Sequence, residues 1–160
     1  MSAETRDPSE KEGIRRALAE ALGTVAGGAL GLGVDVQLIS EINSDNPNFL
    51  ERNFTPAEIA YCRAAPDPRA SFAGRWAAKE AVVKAKMNVR PEGKNYTRGG
   101  GAPLIEIEIL PGNSGAPTVI QHGRALENAR EIGVAEIKVS ISHSGDYVAA
   151  VALAFIRPGQ

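Results

Sequence analysis

The sequence predicts one α+β domain in which a largely antiparallel sheet packs against a long buried helix. Three observations support this class. Apolar residues alternate along several short segments, the last two of these segments are joined by a short polar turn, and a segment between them has helical spacing with little polar surface. The chain has 160 residues, enough for one compact domain and too few for two of ordinary size.

Alternation predicts five strands. The first has one apolar face, formed by Leu30, Leu32, Val34, Val36 and Leu38. Asp35 and Gln37 project from the opposite face of this strand. The other four strands are the segments LIEIEIL, TVIQ, EIKVSIS and YVAAVALAFI, and the last two form a β-hairpin around HSGD.

Helix signals separate these strands. Thr55, Pro56 and Glu58 form a capping box that begins the helix PAEIAYCRAA, which stops at the prolines that follow. A long helix is predicted from about Ser71, and the short helix RALENAREIG is closed by Gly133.

The two ends of the domain are predicted from composition. Residues 1–28 form a polar lead-in and a linker helix, IRRALAEALGTVAGG, whereas residues 29–160 form the domain itself. The glycine-rich segment 90–103 is predicted to be a mobile loop.

Composition excludes several classes of function. The formal net charge of −1 gives no global attraction to nucleic acid or to an anionic membrane. The single cysteine, Cys62, permits no internal disulfide, and no apolar run approaches the ~20 residues of a membrane span. We therefore predict a cytoplasmic protein.

The long helix FAGRWAAKEAVVKAK carries five charges although most of its surface is apolar. Its large apolar stripe is formed by Phe72, Trp76, Val83 and Met87. Arg75, Lys79 and Lys86 lie on a separate strip, and Glu80 lies at the edge of the apolar stripe with Lys84 one turn further on. Glu80 and Lys84 could be a solvated i,i+4 pair. A carboxylate buried in such a helix would instead need a partner or a metal.

Asp35 is the second carboxylate of interest. An aspartate on an edge strand often points at water, but aspartate is depleted in strands. Together, Asp35 and Glu80 beside lysines and an arginine predict a hard-cation site next to an anion site, since Mg²⁺ takes one or two carboxylates and substrate phosphates.

Other polar residues are ambiguous. His143 opens the last turn and is either structural or functional, and the serines of SISHS could bind phosphate or line the hairpin. The glycines of GGALGLGVDV lead into a strand, which does not fit a dinucleotide-binding fingerprint. The chain has no GxxxxGK[ST] motif, no zinc spacing and no nucleophile elbow.

Three motifs resemble one family. GLGVDVQLI, FAGRWAAKEAVVKA and VSISHSGDYVAAVALA, in this order, resemble the 4′-phosphopantetheinyl transferases of the holo-acyl-carrier-protein synthase type. The segment between the first two looks closest to the C-terminal transferase domain of fungal fatty acid synthase α subunits. The resemblance covers about residues 31–156 and implies the single-lobe fold of this family.

The resemblance implies transfer of 4′-phosphopantetheine from coenzyme A to a serine of an acyl carrier protein, releasing adenosine 3′,5′-bisphosphate. It assigns Mg²⁺ to Asp35 and Glu80, with Gln37 as a possible third ligand. Lys84 would stabilise pyrophosphate charge, and Glu80, directly or through water, would accept the serine proton. The remaining positions implied to contact coenzyme A are Val36, Tyr61, Ser71, Arg75, Lys79, Asn113, Ser114, Ile141, Ser142 and His143.

One position departs from the fungal pattern. That pattern has GVDVE, whereas this chain has Gln37, which keeps an oxygen ligand but lacks the negative charge. This departure supports a rival hypothesis, a catalytically silent domain that docks the carrier. A different Mg²⁺-dependent phosphate enzyme is a second rival, and only the match of all three motifs argues against it.

A single lobe also implies a homo-oligomer, a trimer or a multiple of three, with coenzyme A at the interface.

Overall fold

The computed structural model describes residues 30–89 and 102–156, together with Gly13 and Arg16. Gly13 and Arg16 are helical; apart from Arg16, the predicted linker helix and most of the glycine-rich loop lie outside these residues. Five strands form one antiparallel sheet in the order β1-β5-β4-β3-β2. The strands are β1 (Leu30–Leu38), β2 (Ile107–Pro111), β3 (Pro117–Gln121), β4 (Val134–Ser144) and β5 (Tyr147–Ile156).

Within residues 30–89 and 102–156, four α-helices accompany the sheet, and the longest packs across β1 and β5. They are α1 (Pro47–Asn53), α2 (Pro56–Arg63), α3 (Pro68–Asn88) and α4 (Gly123–Glu131). Short 3₁₀ turns at Ile39–Glu41 and Leu104–Glu106 complete the elements. The predicted α+β class, with an antiparallel sheet and a long buried helix, is confirmed. Within the described ranges, none of the helices is long and apolar enough to cross a membrane.

Helix starts follow local capping chemistry. The Thr55–Glu58 capping box at α2 is confirmed, because each side chain bonds the backbone N–H of the other residue. Helix α3 begins at Pro68, three residues before the predicted start. The Asp67 side chain accepts a hydrogen bond from the N–H of Ala70, and proline is favourable in the first turn of a helix. Pro68 therefore starts this helix instead of preventing it.

Three local predictions differ from the structure. Helix α1 was not predicted, although Asn46 caps it immediately before Pro47. The segment LIEIEIL begins as a 3₁₀ turn and becomes a strand only at Ile107. His143 lies within β4, where it pairs with Val148, and does not open the turn. The turn itself is tighter, since β5 begins three residues after β4 ends and Gly145 adopts a φ of 57°.

Glycines allow α3 to approach β1 very closely. A Cβ atom at Gly33 would lie 1.9 Å from the Ala81 carbonyl oxygen, and one at Gly31 would lie 2.2 Å from that of Ala85. Strand and helix therefore run in opposite directions, with two strand residues matching four helix residues. The β5 residues facing α3 are small and buried: Val148, Ala150, Ala152 and Ala154.

An aromatic cluster fills the other side of α3. The ring centroids of Phe54 and Phe72 are 5.1 Å apart, and those of Phe49 and Trp76 are 5.2 Å apart. Edge-to-face and tilted geometries of this kind stabilise a core beyond the area they bury. Met87, predicted to continue this stripe, is 61% exposed, because it lies in the last turn of α3 beyond the aromatic cluster.

We expect Gly33→Ala to lower the free energy of unfolding by about 3 kcal/mol, since the added methyl overlaps helix backbone that cannot move aside. Urea denaturation would measure this change. Gly74→Ala is the matched control, because its Cβ would meet only side-chain atoms of Ile141 and His143, at 3.2–3.4 Å. Equal unfolding midpoints for the two variants would contradict the proposed contact.

Candidate functional site

The charged residues of α3 make separate, specific contacts. Lys84 reaches the sheet, where its Nζ donates to the Asp35 carboxylate at 2.9 Å and to the Val34 carbonyl at 3.0 Å. The Asp35 side chain is only 2% exposed, whereas that of Lys84 is 37% exposed. Asp35 therefore points toward the helix, and the alternative of an aspartate facing water is wrong.

Glu80 lies on the same side of α3 as Lys84. The two residues are four apart, which places their side chains on adjacent turns of one helix face. Continuing the register of β1 on α3 places Asp35 beside the turn that contains Glu80. Asp35 and Lys84 are in contact, and Glu80 lies one helical turn from Lys84 on the same helix; we refer to these three residues as the carboxylate–lysine cluster.

Gln37 follows Asp35 on the same face of β1. Its amide Nε2 donates to the Glu41 carboxylate at 3.0 Å and to the Leu38 carbonyl at 3.2 Å. Glu41 lies in the 3₁₀ turn that follows β1 and was not identified from the sequence. In the sequence, Glu41 is marked only by its position, four residues after the predicted ligand Gln37.

A second cluster forms where α2 meets the first turns of α3. The Arg75 guanidinium lies over the Tyr61 ring, 4.1 Å from its centroid, and its Nη1 donates to the carbonyl and hydroxyl of Ser71. Among the described residues, no group accepts a hydrogen bond from the buried Arg75 Nε. The adjacent Cys62 is fully buried, which raises the pKa of its thiol. Tyr61, Ser71 and Arg75 thus form a preassembled cationic cluster.

His143 lies beside this second cluster. Its Nε2 is 3.2 Å from the Ala70 carbonyl oxygen, and the ring packs beside Gly74 together with Ile141. The side chains of Ser142 and Val36 are on the other face of the sheet, away from α3. Of the SISH motif, only Ile141 and His143 therefore face the clusters.

The β2–β3 turn is remote from the carboxylates within one chain. Asn113 and Ser114 are exposed at its tip, where Gly115 adopts a φ of 81°. Strands β1 and β2 form opposite edges of the sheet, separated by four strand spacings, or about 19 Å. A single copy of the described domain does not bring these residues to Asp35.

Lys79 has a structural environment that conflicts with the expected phosphate contact. Its side chain is 0% exposed, and its ammonium donates to Glu58 at 2.7 Å, to the Asn53 carbonyl at 2.6 Å and to the Leu104 carbonyl at 3.1 Å. These three acceptors use all three donors of an ammonium group. The charge of Lys79 is therefore used within the fold, and this corrects the prediction that Lys79 contacts coenzyme A.

Glu58 completes this buried pair. It also accepts hydrogen bonds from the backbone N–H groups of Ile109 and Thr55, so both carboxylate oxygens are used. Burial lowers the pKa of Lys79, and the neighbouring Glu58 carboxylate opposes that shift. Capping chemistry identified Glu58 in the sequence, but nothing local identified its distant partner.

Lys86 is also occupied by the fold. Its Nζ donates to the Gln121 side chain at 2.9 Å and to the Ala125 carbonyl at 2.7 Å. Burial lowers the pKa of Lys86 to about 8, with partial compensation from Glu106. This lysine ties the end of α3 to α4.

The carboxylate–lysine cluster has donor chemistry suited to Mg²⁺. Within the described ranges, no group of three or more His, Cys, Asp and Glu side chains is arranged to hold a metal. Mg²⁺ does not require such a set, because one or two carboxylates, substrate phosphates and water satisfy its octahedral shell. Asp35 and Glu80 would supply two hard oxygen donors to such an ion, and the Gln37 carbonyl would be a third oxygen of the same kind.

Comparison with known proteins identifies the family of this chain. Residues 31–152 match the family model of the 4′-phosphopantetheinyl transferase superfamily, a range that contains every member of both clusters. The chain belongs to this superfamily. Solved structures of holo-ACP synthases are similar to this chain. The holo-ACP synthase of Plasmodium yoelii is 27% identical with a TM-score of 0.65, and the two chains are covered to 82% and 99%.

A structure with coenzyme A bound has a similar fold. The Chronobacterium ammoniagenes ACPS–CoA complex is 29% identical with a TM-score of 0.69, covering 81% of this chain and 99% of that one. Among curated sequences, the fatty acid synthase subunit alpha of Schizosaccharomyces pombe is 52% identical over 123 residues. That of Candida parapsilosis is 46% identical over 147 residues. The matches cover 77% and 92% of this chain but only 6% and 7% of those relatives.

We expect Lys79→Met to lower the free energy of unfolding by about 3–5 kcal/mol, because it leaves the Glu58 carboxylate buried without its cation. Chemical denaturation would measure the loss. Lys138→Met is the matched control, since Lys138 is exposed and its 3.7 Å pair with Glu136 is on the surface. A Lys79→Met midpoint equal to that of the control would contradict the structural role.

Proposed function

We propose that this domain transfers 4′-phosphopantetheine from coenzyme A to a serine of an acyl carrier protein. The observation that carries the proposal is the Lys84–Asp35 ion pair on the same helix face as Glu80, within the range that matches the transferase superfamily. Similarity to fungal fatty acid synthase α subunits supports a role in fatty acid synthesis and a cytoplasmic location. The carrier would be an acyl carrier protein or carrier domain.

In the proposed reaction the carrier serine oxygen bonds to the β-phosphorus of coenzyme A. The bond between that phosphorus and the oxygen of the nucleotide breaks, which releases adenosine 3′,5′-bisphosphate. Glu80 accepts the serine proton, directly or through water, because it is the half-buried carboxylate of the cluster. Lys84 donates a hydrogen bond to Asp35 and provides positive charge where the leaving phosphate gains negative charge.

Asp35 and Glu80, with the Gln37 carbonyl, would hold Mg²⁺. When bound, the ion would neutralise negative charge on the pyrophosphate. The cationic cluster of Tyr61, Ser71 and Arg75 provides a separate anion site next to His143, suited to a second phosphate of coenzyme A. The domain thus has one acidic and one basic cluster along the same helix.

A carrier-docking domain without catalysis remains the second candidate. The observation that favours it is Gln37, since an amide replaces the acid of the related pattern. The contact between Lys84 and Asp35 opposes it, because a purely docking domain has no need for a buried carboxylate beside a partly exposed lysine.

We expect this protein to add one phosphopantetheine to an apo carrier protein in the presence of coenzyme A and Mg²⁺, and to lose this activity with EDTA. Glu80→Gln should lower turnover at least about 100-fold, since it removes a proton acceptor and a ligand charge. Intact-mass spectrometry of the carrier measures both effects, and far-UV circular dichroism checks folding.

Glu51→Gln is the matched control, because Glu51 is an exposed carboxylate on α1. Near-normal turnover of Glu80→Gln would refute the assigned role. Binding of coenzyme A without transfer to any of several carriers would favour the docking domain.

We further propose that the active form is a homo-oligomer, a trimer or a multiple of three, with coenzyme A at the interface. Two features support this. The β2–β3 turn is far from the carboxylates within one chain, so a neighbouring copy would be needed to bring Asn113 and Ser114 to them. The sheet face opposite α3 also carries half-buried apolar side chains of β5, namely Val151, Leu153 and Phe155.

We expect light scattering to give three times the chain mass, or a multiple of it. Leu153→Lys should lower both this mass and the transfer activity, because it places a charge on the proposed interface. Glu51→Lys serves as the control, since it places the same charged side chain on the exposed surface of α1. A monomer with full activity would refute the oligomer.

A further inference from the structure

The polar residues at the end of β1 include a contact outside the transferase motifs. Gln37 is buried, with 8% exposure, and lies on the same face as Asp35. Its amide donates to the carboxylate of Glu41, which no motif identified. An amide can present either its oxygen or its nitrogen to a neighbouring site, and only the oxygen can bind a metal ion.

The contacts of Gln37 determine which atom is presented. Both partners of Nε2, the Glu41 carboxylate and the Leu38 carbonyl, can only accept hydrogen bonds. Each of them therefore requires the NH₂ group of the amide. Rotating the amide by half a turn would instead place its carbonyl oxygen against the oxygens of both acceptors, which is unfavourable. The nitrogen is directed toward these partners, and the carbonyl oxygen is directed away from them.

Glu41 is held in place by its own segment. The Ile39 N–H donates to the Asp146 carbonyl at 2.8 Å, and the Ser40 hydroxyl donates to the Asp146 carboxylate at 2.8 Å. These bonds attach the 3₁₀ turn of Glu41 to the β4–β5 turn, so the carboxylate is carried by an anchored backbone segment. The Glu41 side chain reaches the Gln37 amide from this anchored segment, and the hydrogen bond to Nε2 sets the position of its carboxylate.

We propose that Glu41 is a positioning residue for the metal site. It holds the NH₂ group of the Gln37 amide toward its own carboxylate, so that the carbonyl oxygen is the amide atom that would bind a divalent cation held by Asp35 and Glu80. This inference rests on the proposed function of that site. It also explains how a chain with glutamine at this position retains an ordered oxygen ligand, since hydrogen-bonded partners of metal ligands set ligand orientation.

The test is Mg²⁺ titration of the full chain by calorimetry, with coenzyme A bound. Glu41→Ala should weaken Mg²⁺ about tenfold, because the amide loses the acceptor that orients it. Glu41→Gln keeps a carbonyl acceptor at the same reach and should stay within about threefold of the wild type. If charge alone mattered, the two variants would weaken binding equally, and that result would overturn the proposal.

A double-mutant cycle then tests whether Glu41 acts through Gln37. Gln37→Ala should weaken Mg²⁺ about tenfold, and adding Glu41→Ala to it should cause little further loss. Additive losses, about 100-fold in the double variant, would overturn the proposal. Glu51→Ala is the control for removal of an exposed carboxylate, and thermal melts without metal separate a loss of fold from a loss of affinity.

The failure of this inference is distinguishable from failure of the proposed function. Coupled Mg²⁺ affinities without any transfer to carrier would overturn the function alone. Transfer with uncoupled affinities would overturn the role of Glu41 alone. Absence of measurable Mg²⁺ binding by the wild-type chain with coenzyme A bound would overturn the role of Glu41 as well.

Discussion

The close contact between α3 and β1 is the constraint on which the rest of the structure depends. Glycine at two alternate positions of β1 lets the helix backbone lie directly on the strand, where any larger residue would collide. At that distance a lysine of α3 can reach back to the strand carbonyls, and the Asp35 carboxylate on the glycine face is enclosed without solvent. The carboxylate–lysine cluster is therefore a consequence of backbone packing.

Two lysines five residues apart on α3 differ in burial, and this difference distinguishes a charge that stabilises the fold from a charge that can reach a substrate. Lys79 has three protein acceptors and no exposed surface, so its charge is fully used to join α1, α2, α3 and the segment before β2. Lys84 is partly exposed and bonds a carboxylate whose neighbours are also candidate ligands. Identical side chains on one helix thus serve different purposes, and only their partners distinguish them.

Gln37 has a neighbouring acceptor that matches the donor of its amide. Gln37 lacks the charge of the acid found in the related pattern, but its amide has a donor that an acid lacks. The Glu41 carboxylate accepts that donor within the same short segment of chain. This contact directs the NH₂ group of the amide toward Glu41, and the oxygen of the amide is therefore the atom we propose for a cation.

The sequence by itself determined the elements whose signals are local. The alternation of β1, the Thr55–Glu58 capping box and the final hairpin are patterns within a few residues, and each appears in the structure. The three motifs likewise identified the family, because their residue types and order are specific. These signals depend on the backbone period and on neighbours along the chain.

Tertiary structure decided the partners of the charged residues. Lys79 lies 21 residues from Glu58, and Lys84 lies 49 from Asp35, so no local pattern could assign either pair. Helical projection placed Lys79 on a strip with Arg75 but could not show that α2 covers it. The physical reason is that a buried charge is positioned by acceptors from several segments at once, and these meet only when the chain has folded.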